Sequence, residues 1–158
     1  MDNELLELAK KLGRILKARG EKIAAAESCT GGGIAQIITE VPGSSAWFDR
    51  GFVTYSNSAK VQMLGVSQET LEKYGAVSAE TAAEMAAGAL AHSEADIAIA
   101  VTGIAGPEGG TPEKPVGTVF MAWAWENGNY KVEKMKFSGN RHQIREQTVK
   151  TAIERITI

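Results

Sequence analysis

Two side chains in this 158-residue sequence are spaced for nucleophilic and acid–base chemistry. Ser28 lies in Glu27-Ser28-Cys29-Thr30-Gly31-Gly32-Gly33, between an apolar run at 22–27 and the helical spacing of Ile34, Ile37 and Ile38. A serine between a strand and a glycine-rich helix start projects its hydroxyl outward. The N–H groups around Thr30, Gly31 and Gly32 are then candidates to stabilise an oxyanion, because a helix N-terminus leaves donors unsatisfied. The position equally suits a plain N-cap, the commoner use of serine there. A serine nucleophile needs a base, and neither His92 nor His142 has an obvious acidic partner or a place near the glycine turn. That argues against a Ser-His-Asp triad. Lys60, which follows Tyr55-Ser56-Asn57-Ser58-Ala59, can serve if burial lowers its pKa enough to leave a neutral amine. By spacing alone it also reads as a solvated surface lysine.

Arg141 opens a final helical run, where a cation opposes the macrodipole; an anionic ligand would account for it. Arg145, one turn later on nearly the same face, either shares that task or makes a surface ion pair. The segment Thr102-Gly103-Ile104-Ala105-Gly106-Pro107 offers a hydroxyl and several N–H groups at a strand end, suited to a phosphate or ribose, or it is a structural turn. Cys29, beside Ser28, reads as a small buried residue. No P-loop, Gly-x-Gly-x-x-Gly fingerprint or Gly-x-Ser-x-Gly elbow occurs.

The elements that must position these groups follow from apolar periodicity. Leu5, Leu8, Leu12, Ile15 and Leu16 predict a helix over 3–19 capped by Gly20. Residues 22–27 and 51–55 read as strands, the latter with Val53 and Tyr55 on one face, and Lys60 follows a short turn. Ser67 and Ser78 each precede a helical run with an acid in its first turn, as N-caps do. The continuous apolar run 95–102 predicts a strand covered on both faces, and the loop 103–115 is long enough to be functional. Runs 117–125 and 130–137 meet at Asn127-Gly128, a hairpin signal, and Trp123 and Trp125 are assigned to packing. A last helix starts near Arg141, with Asn140 as its cap and Ile144, Thr148, Ala152, Ile153 and Ile156 facing inward. The pattern predicts an α/β fold, a three-layer α/β/α sandwich around a mixed β-sheet.

Composition bounds the function. The chain is the size of one domain, read as 1–158, and a net charge of -2 with interspersed signs gives no basic stripe for nucleic acid. No apolar run reaches 18 residues and the start, Met1-Asp2-Asn3-Glu4, is acidic, so a cytoplasmic protein with no membrane partner is expected. One cysteine suits a reducing compartment, and two isolated histidines suggest no metal site.

Several segments together resemble one known family: Ala26-Glu27-Ser28-Cys29-Thr30-Gly31-Gly32, Gly51-Phe52-Val53-Thr54-Tyr55-Ser56-Asn57, Lys60, Gly75-Ala76-Val77-Ser78, Thr102 to Pro107, Lys114-Pro115-Val116-Gly117-Thr118-Val119 and Gly139-Asn140-Arg141. The chain is similar, from first helix to last, to the CinA C-terminal domain family, and within it to the stand-alone nicotinamide-nucleotide amidohydrolases. The resemblance implies deamidation of nicotinamide mononucleotide to nicotinate mononucleotide and ammonia, in pyridine-nucleotide recycling, with no metal and no cofactor. It carries the serine nucleophile to Ser28, the lysine base to Lys60, the assisting tyrosine to Tyr55 and the essential arginine to Arg141, with Arg145 close enough to exchange by an alignment slip. Thr30, Gly31, Gly32, Thr102, Gly103, Ile104, Ala105, Gly106 and Arg145 are the expected substrate-binding set. Many relatives carry Asp where Asn140 stands, and many carry an extra N-terminal domain whose activity is not expected here. A small-molecule nucleotide and a second copy of the chain, as a homo-oligomer, are the expected partners. Two rival readings stay open: a silent pyridine-nucleotide sensor, and a serine amidohydrolase of another small amide.

Overall fold

In the computed structural model, which describes residues 3–156, the apolar runs become five strands and the expected helices form, joined by a sixth at 57–64 that no periodicity marks. Met1 and Asp2, half of the acidic start, lie outside the described residues. The strand order is β2-β1-β3-β4-β5. Strands β1 (Ile23–Glu27), β2 (Phe48–Val53) and β3 (Ile97–Gly103) run parallel. Strands β4 (Thr118–Trp125) and β5 (Tyr130–Lys136) complete the sheet as an antiparallel hairpin. The sheet is therefore mixed, as its apolar pattern predicts.

Side-chain alternation gives the two faces different characters. One face presents Ile23, Ile97, Ile99, Val101, Val119, Met121 and Trp123, packed under α1 (Asn3–Arg19), α2 (Gly33–Thr39) and α6 (Arg141–Glu154). Ile144, Thr148, Ala152 and Ile153 of α6 are buried there as expected, and the Trp123 indole donates to the Ala152 carbonyl at 3.1 Å. The other face is nearly all alanine: Ala26, Ala98, Ala100, Ala122 and Ala124. Small side chains let the alanine-rich α5 (Ala79–Ala91) lie close to the sheet, with α3 (Asn57–Leu64) and α4 (Gln68–Tyr74) beside it.

Three local expectations are corrected. Strand β2 starts at Phe48 and ends at Val53; the Thr54 N–H still reaches the Glu27 carbonyl at 2.8 Å, but Tyr55 lies beyond the strand and is exposed. Lys60 sits in the first turn of α3, a helix with little amphipathic pattern, whose legible signals are its ends. The Ser56 hydroxyl accepts from the Ala59 N–H at 3.0 Å, and Gly65 closes the helix at φ 70°. Ser67 stands at the N-cap of α4 without a capping bond, and its N–H donates to the Glu84 carboxylate at 2.8 Å. Ser78 does cap α5, and Asn140 forms a full capping box with Gln143.

The chain passes from β1 over one face to β2, then back across β1 over the other face to β3. The carboxyl ends of all three parallel strands thus meet at a topological switch point, where open α/β sheets leave a crevice for ligands. Ser28, Thr54 and Gly103 all lie at that edge.

The seat of α3 depends on one close approach. A Cβ on Gly88 of α5 would overlap the Leu64 carbonyl at the end of α3. Gly88→Ala should therefore destabilise the fold by about 1–3 kcal/mol despite alanine's better helix propensity. Thermal unfolding checks it; an unchanged or raised melting temperature would show that α3 can move away freely.

Candidate active site

The switch point holds a cleft of about 260 Å³. Its lining includes Ser28, Tyr55, Lys60, Ala76, Thr102 through Gly106, and Arg141. Lysine side chains in a helix lean toward its N-terminus, so Lys60 reaches back from α3 to the loop that precedes it. Its Nζ lies 3.1 Å from Ser28 Oγ, 2.9 Å from the Thr54 carbonyl and 3.1 Å from the Tyr55 carbonyl. Lys60 is 1% exposed, and burial holds its amine below the ordinary value of 10.5. The sequence left a solvated lysine open; the structure excludes it.

Ser28 is fixed through its backbone. Its N–H donates to the Val101 carbonyl of β3 at 3.1 Å, and its carbonyl accepts from the Gly31 N–H at 3.1 Å. Arg141, at the start of α6, crosses to the opposite wall. One guanidinium nitrogen donates to the Gly106 carbonyl at 2.8 Å and the other to the Tyr55 hydroxyl at 3.2 Å.

The family model for the CinA C-terminal domain matches residues 5–158. The chain belongs to that family. It is 52% identical over 153 residues to the nicotinamide-nucleotide amidohydrolase PncC of Escherichia coli K12, covering 97% of this chain and 93% of that one. It is 53% identical over 132 residues to a CinA-like protein of Akkermansia muciniphila, covering 84% of this chain and 32% of that longer protein. The crystal structure of the competence/damage inducible protein CihA of Agrobacterium tumefaciens superimposes with a TM-score of 0.96 at 50% identity, over 99% of this chain and 95% of that one.

Of the residues that the CinA resemblance singles out, Ser28, Lys60, Tyr55 and Arg141 come together, and Thr102 to Gly106 form one wall of the cleft. Two groups in that wall are already engaged: the Thr102 hydroxyl donates to the Ala76 carbonyl at 2.8 Å, and the Ile104 N–H to the Thr118 carbonyl at 2.9 Å. The Ala105 and Gly106 N–H groups donate to no acceptor among the described residues.

Thr30, Gly31 and Gly32 do not line the cleft. The start of α2 is filled by the chain's own anion. Glu27, wholly buried, accepts from the Thr30 hydroxyl at 2.5 Å, the Ile34 N–H at 2.8 Å and the Ala35 N–H at 3.0 Å, while the Gly31 N–H turns back to Ser28. A carboxylate at a helix N-terminus neutralises the positive end that a ligand would otherwise use. Gly32 serves the turn itself, at φ 103°. Arg145 also faces elsewhere, donating to the Cys29 and Thr30 carbonyls. His142 does have an acidic partner, Glu146 one turn on at 3.2 Å, but its side chain is 81% exposed and outside the cleft.

Two supporting residues stand in the family-resemblance segments without a role assigned by the sequence. Glu27 gave no periodic signal of its own beyond its place before Ser28. Lys114 ties the two loops of the cleft wall together, its Nζ donating to the Tyr74 carbonyl at 2.9 Å and the Val77 carbonyl at 2.5 Å. That link joins segments 37 residues apart, a distance local spacing does not encode.

Cys29 borders the cleft, yet burial pushes its thiol up to about 12. A thiol raised that far stays protonated at neutral pH and is a poor nucleophile. Native protein at pH 8 should therefore alkylate with iodoacetamide about a thousandfold more slowly than the denatured chain. Equal rates in the two states would show a reactive thiolate beside Ser28.

Proposed function

We propose that the cleft hydrolyses the carboxamide of nicotinamide mononucleotide, releasing nicotinate mononucleotide and ammonia in pyridine-nucleotide recycling. The observation that carries this reading is the 3.1 Å contact between Ser28 Oγ and a buried Lys60 amine, in a chain 52% identical to an enzyme named for that reaction.

The surroundings of Lys60 suit a neutral base. A neutral amine has two N–H donors and one lone pair. The Thr54 and Tyr55 carbonyls take the donors, which leaves the lone pair for the Ser28 hydroxyl. Lys60 accepts the serine proton as Oγ attacks the carboxamide carbon, then returns it to the departing nitrogen as the C–N bond breaks and ammonia leaves. Water attacks the resulting ester, loses a proton to Lys60, and Ser28 recovers that proton as the carboxylic acid is released, which then ionises to nicotinate mononucleotide in water. The Ala105 and Gly106 N–H groups are among the donors that the cleft lining offers the carbonyl oxygen. Arg141 keeps guanidinium donors beyond the two it already uses, and we assign these to the phosphate. Tyr55, bonded to Arg141 through its hydroxyl and to Lys60 through its carbonyl, links the base to the anion site.

Incubation of the protein with nicotinamide mononucleotide and a chelator, following ammonia and nicotinate mononucleotide, tests the reading. Ser28→Ala should lower kcat by on the order of 10⁴-fold or more while the fold persists. Wild-type turnover in that variant would remove Ser28 from the mechanism, and a folded wild type that releases no ammonia would remove the substrate.

The pH profile carries a second expectation. Burial lowers the Lys60 pKa, so the active neutral amine is lost as pH falls through that lowered value, and kcat/KM should drop on the acid side. Lys60→Arg, which stays charged at every accessible pH, should be nearly inactive throughout. An acid limb that persisted in a still-active Lys60→Arg variant would assign it to another group.

A further inference from the structure

Arg145 lies one helical turn beyond Arg141 on α6 but serves a different surface. Its Nε donates to the Cys29 carbonyl at 3.1 Å and a terminal nitrogen donates to the Thr30 carbonyl at 3.2 Å, the two residues that follow Ser28. The buried Glu27 carboxylate grips the same turn through opposite partners, the Thr30 hydroxyl and the Ile34 and Ala35 N–H groups. The turn that carries Ser28 is thus held by a cation on its carbonyls and an anion on its donors. Arg145 is absent from the cleft lining; it borders a separate groove of about 280 Å³ with Thr30, Gly33, Gln36 and His142.

We propose that Arg145 is a positioning residue: by clamping the Cys29 and Thr30 carbonyls from behind, it aims the Ser28 hydroxyl at Lys60 without touching substrate. This assignment rests on Ser28 being the nucleophile of the proposed reaction. The two acceptors sit on adjacent residues, so the clamp needs a planar fork with donors set apart, which the single ammonium of lysine does not supply. The α6 helix then carries two arginines with divided tasks, Arg141 reaching into the cleft and Arg145 holding the nucleophile turn. The groove on the far side gives a small cation access to the place the guanidinium occupies.

The test uses Arg145→Ala and Arg145→Lys with three readouts: kcat and KM for nicotinamide mononucleotide, the rate at which a small sulfonyl fluoride with no nucleotide part labels Ser28, and the melting temperature. Because a misplacement of about 1 Å at a reacting group costs about a hundredfold, kcat should fall by about that factor in the alanine variant. KM should stay within about twofold, and labelling should slow in parallel with kcat. Guanidinium chloride, well below denaturing concentration, should restore both rates in Arg145→Ala, and Arg145→Lys should recover little. A raised KM with wild-type labelling would overturn the proposal in favour of substrate contact. Loss of activity that tracks only a lowered melting temperature, without guanidinium rescue, would reduce Arg145 to a stability role. A wild type that is labelled at Ser28 but idle on the nucleotide would sink the substrate reading alone, and the labelling and rescue arms would still judge the clamp.

Discussion

A buried amine is tolerated only where its hydrogen-bonding groups are met, and that constraint organises this molecule around Lys60. Leaving a hydrogen-bonding group unpaired in the interior costs roughly 1–3 kcal/mol, more when it is charged. The cradle of Ser28 Oγ and the Thr54 and Tyr55 carbonyls meets that demand. To build it, β2 must end before Thr54, the chain must turn through Ser56 into α3, and α3 must sit low enough on the alanine face for its first turn to meet the end of β1. The alanine face and the Leu64–Gly88 approach are the packing side of the same requirement.

The two faces of the sheet divide the work. The bulky face under α1, α2 and α6 supplies most of the large buried side chains and anchors α6, from whose first turns Arg141 and Arg145 project. The alanine face admits α5 closely and so fixes α3 and the loop at 75–77 that borders the cleft. Ser28 directly follows the strand between these layers, so its alignment with Lys60 depends on both being packed at once.

Much of this was legible in the sequence, for identifiable reasons. Long periodic runs revealed α1, α6, β3 and the hairpin, because burial on one face or two leaves a repeating pattern. Ser28, Lys60, Tyr55 and Arg141 were found because each stands in a recognisable segment. Helix α3 escaped because it is short and bears little amphipathic stripe; Ser56 and Gly65 at its ends were its only strong marks. The expected donors at Thr30 to Gly32 lie outside the cleft lining, and a strand–turn–helix pattern does not reveal that the Gly31 N–H turns back to the Ser28 carbonyl or that the first N–H groups of α2 are already taken. Glu27, one residue before the serine, takes them. Arg141 and Arg145 share a helix face in projection, and only the tertiary placement of the Ser28 turn separates a residue of the cleft from one behind it.

The lysine's cradle is written in main chain. Two of its three contacts are carbonyl oxygens, which every amino acid carries, so no exchange of side chain at 54 or 55 can delete them. The desolvated seat of the base is thus a property of how the backbone bends between β2 and α3 and can be inherited through extensive sequence drift. What drift can alter there is the phenol of Tyr55 and the hydroxyl of Thr54, which leaves the neighbourhood of the base open to diversification while the base itself stays in place.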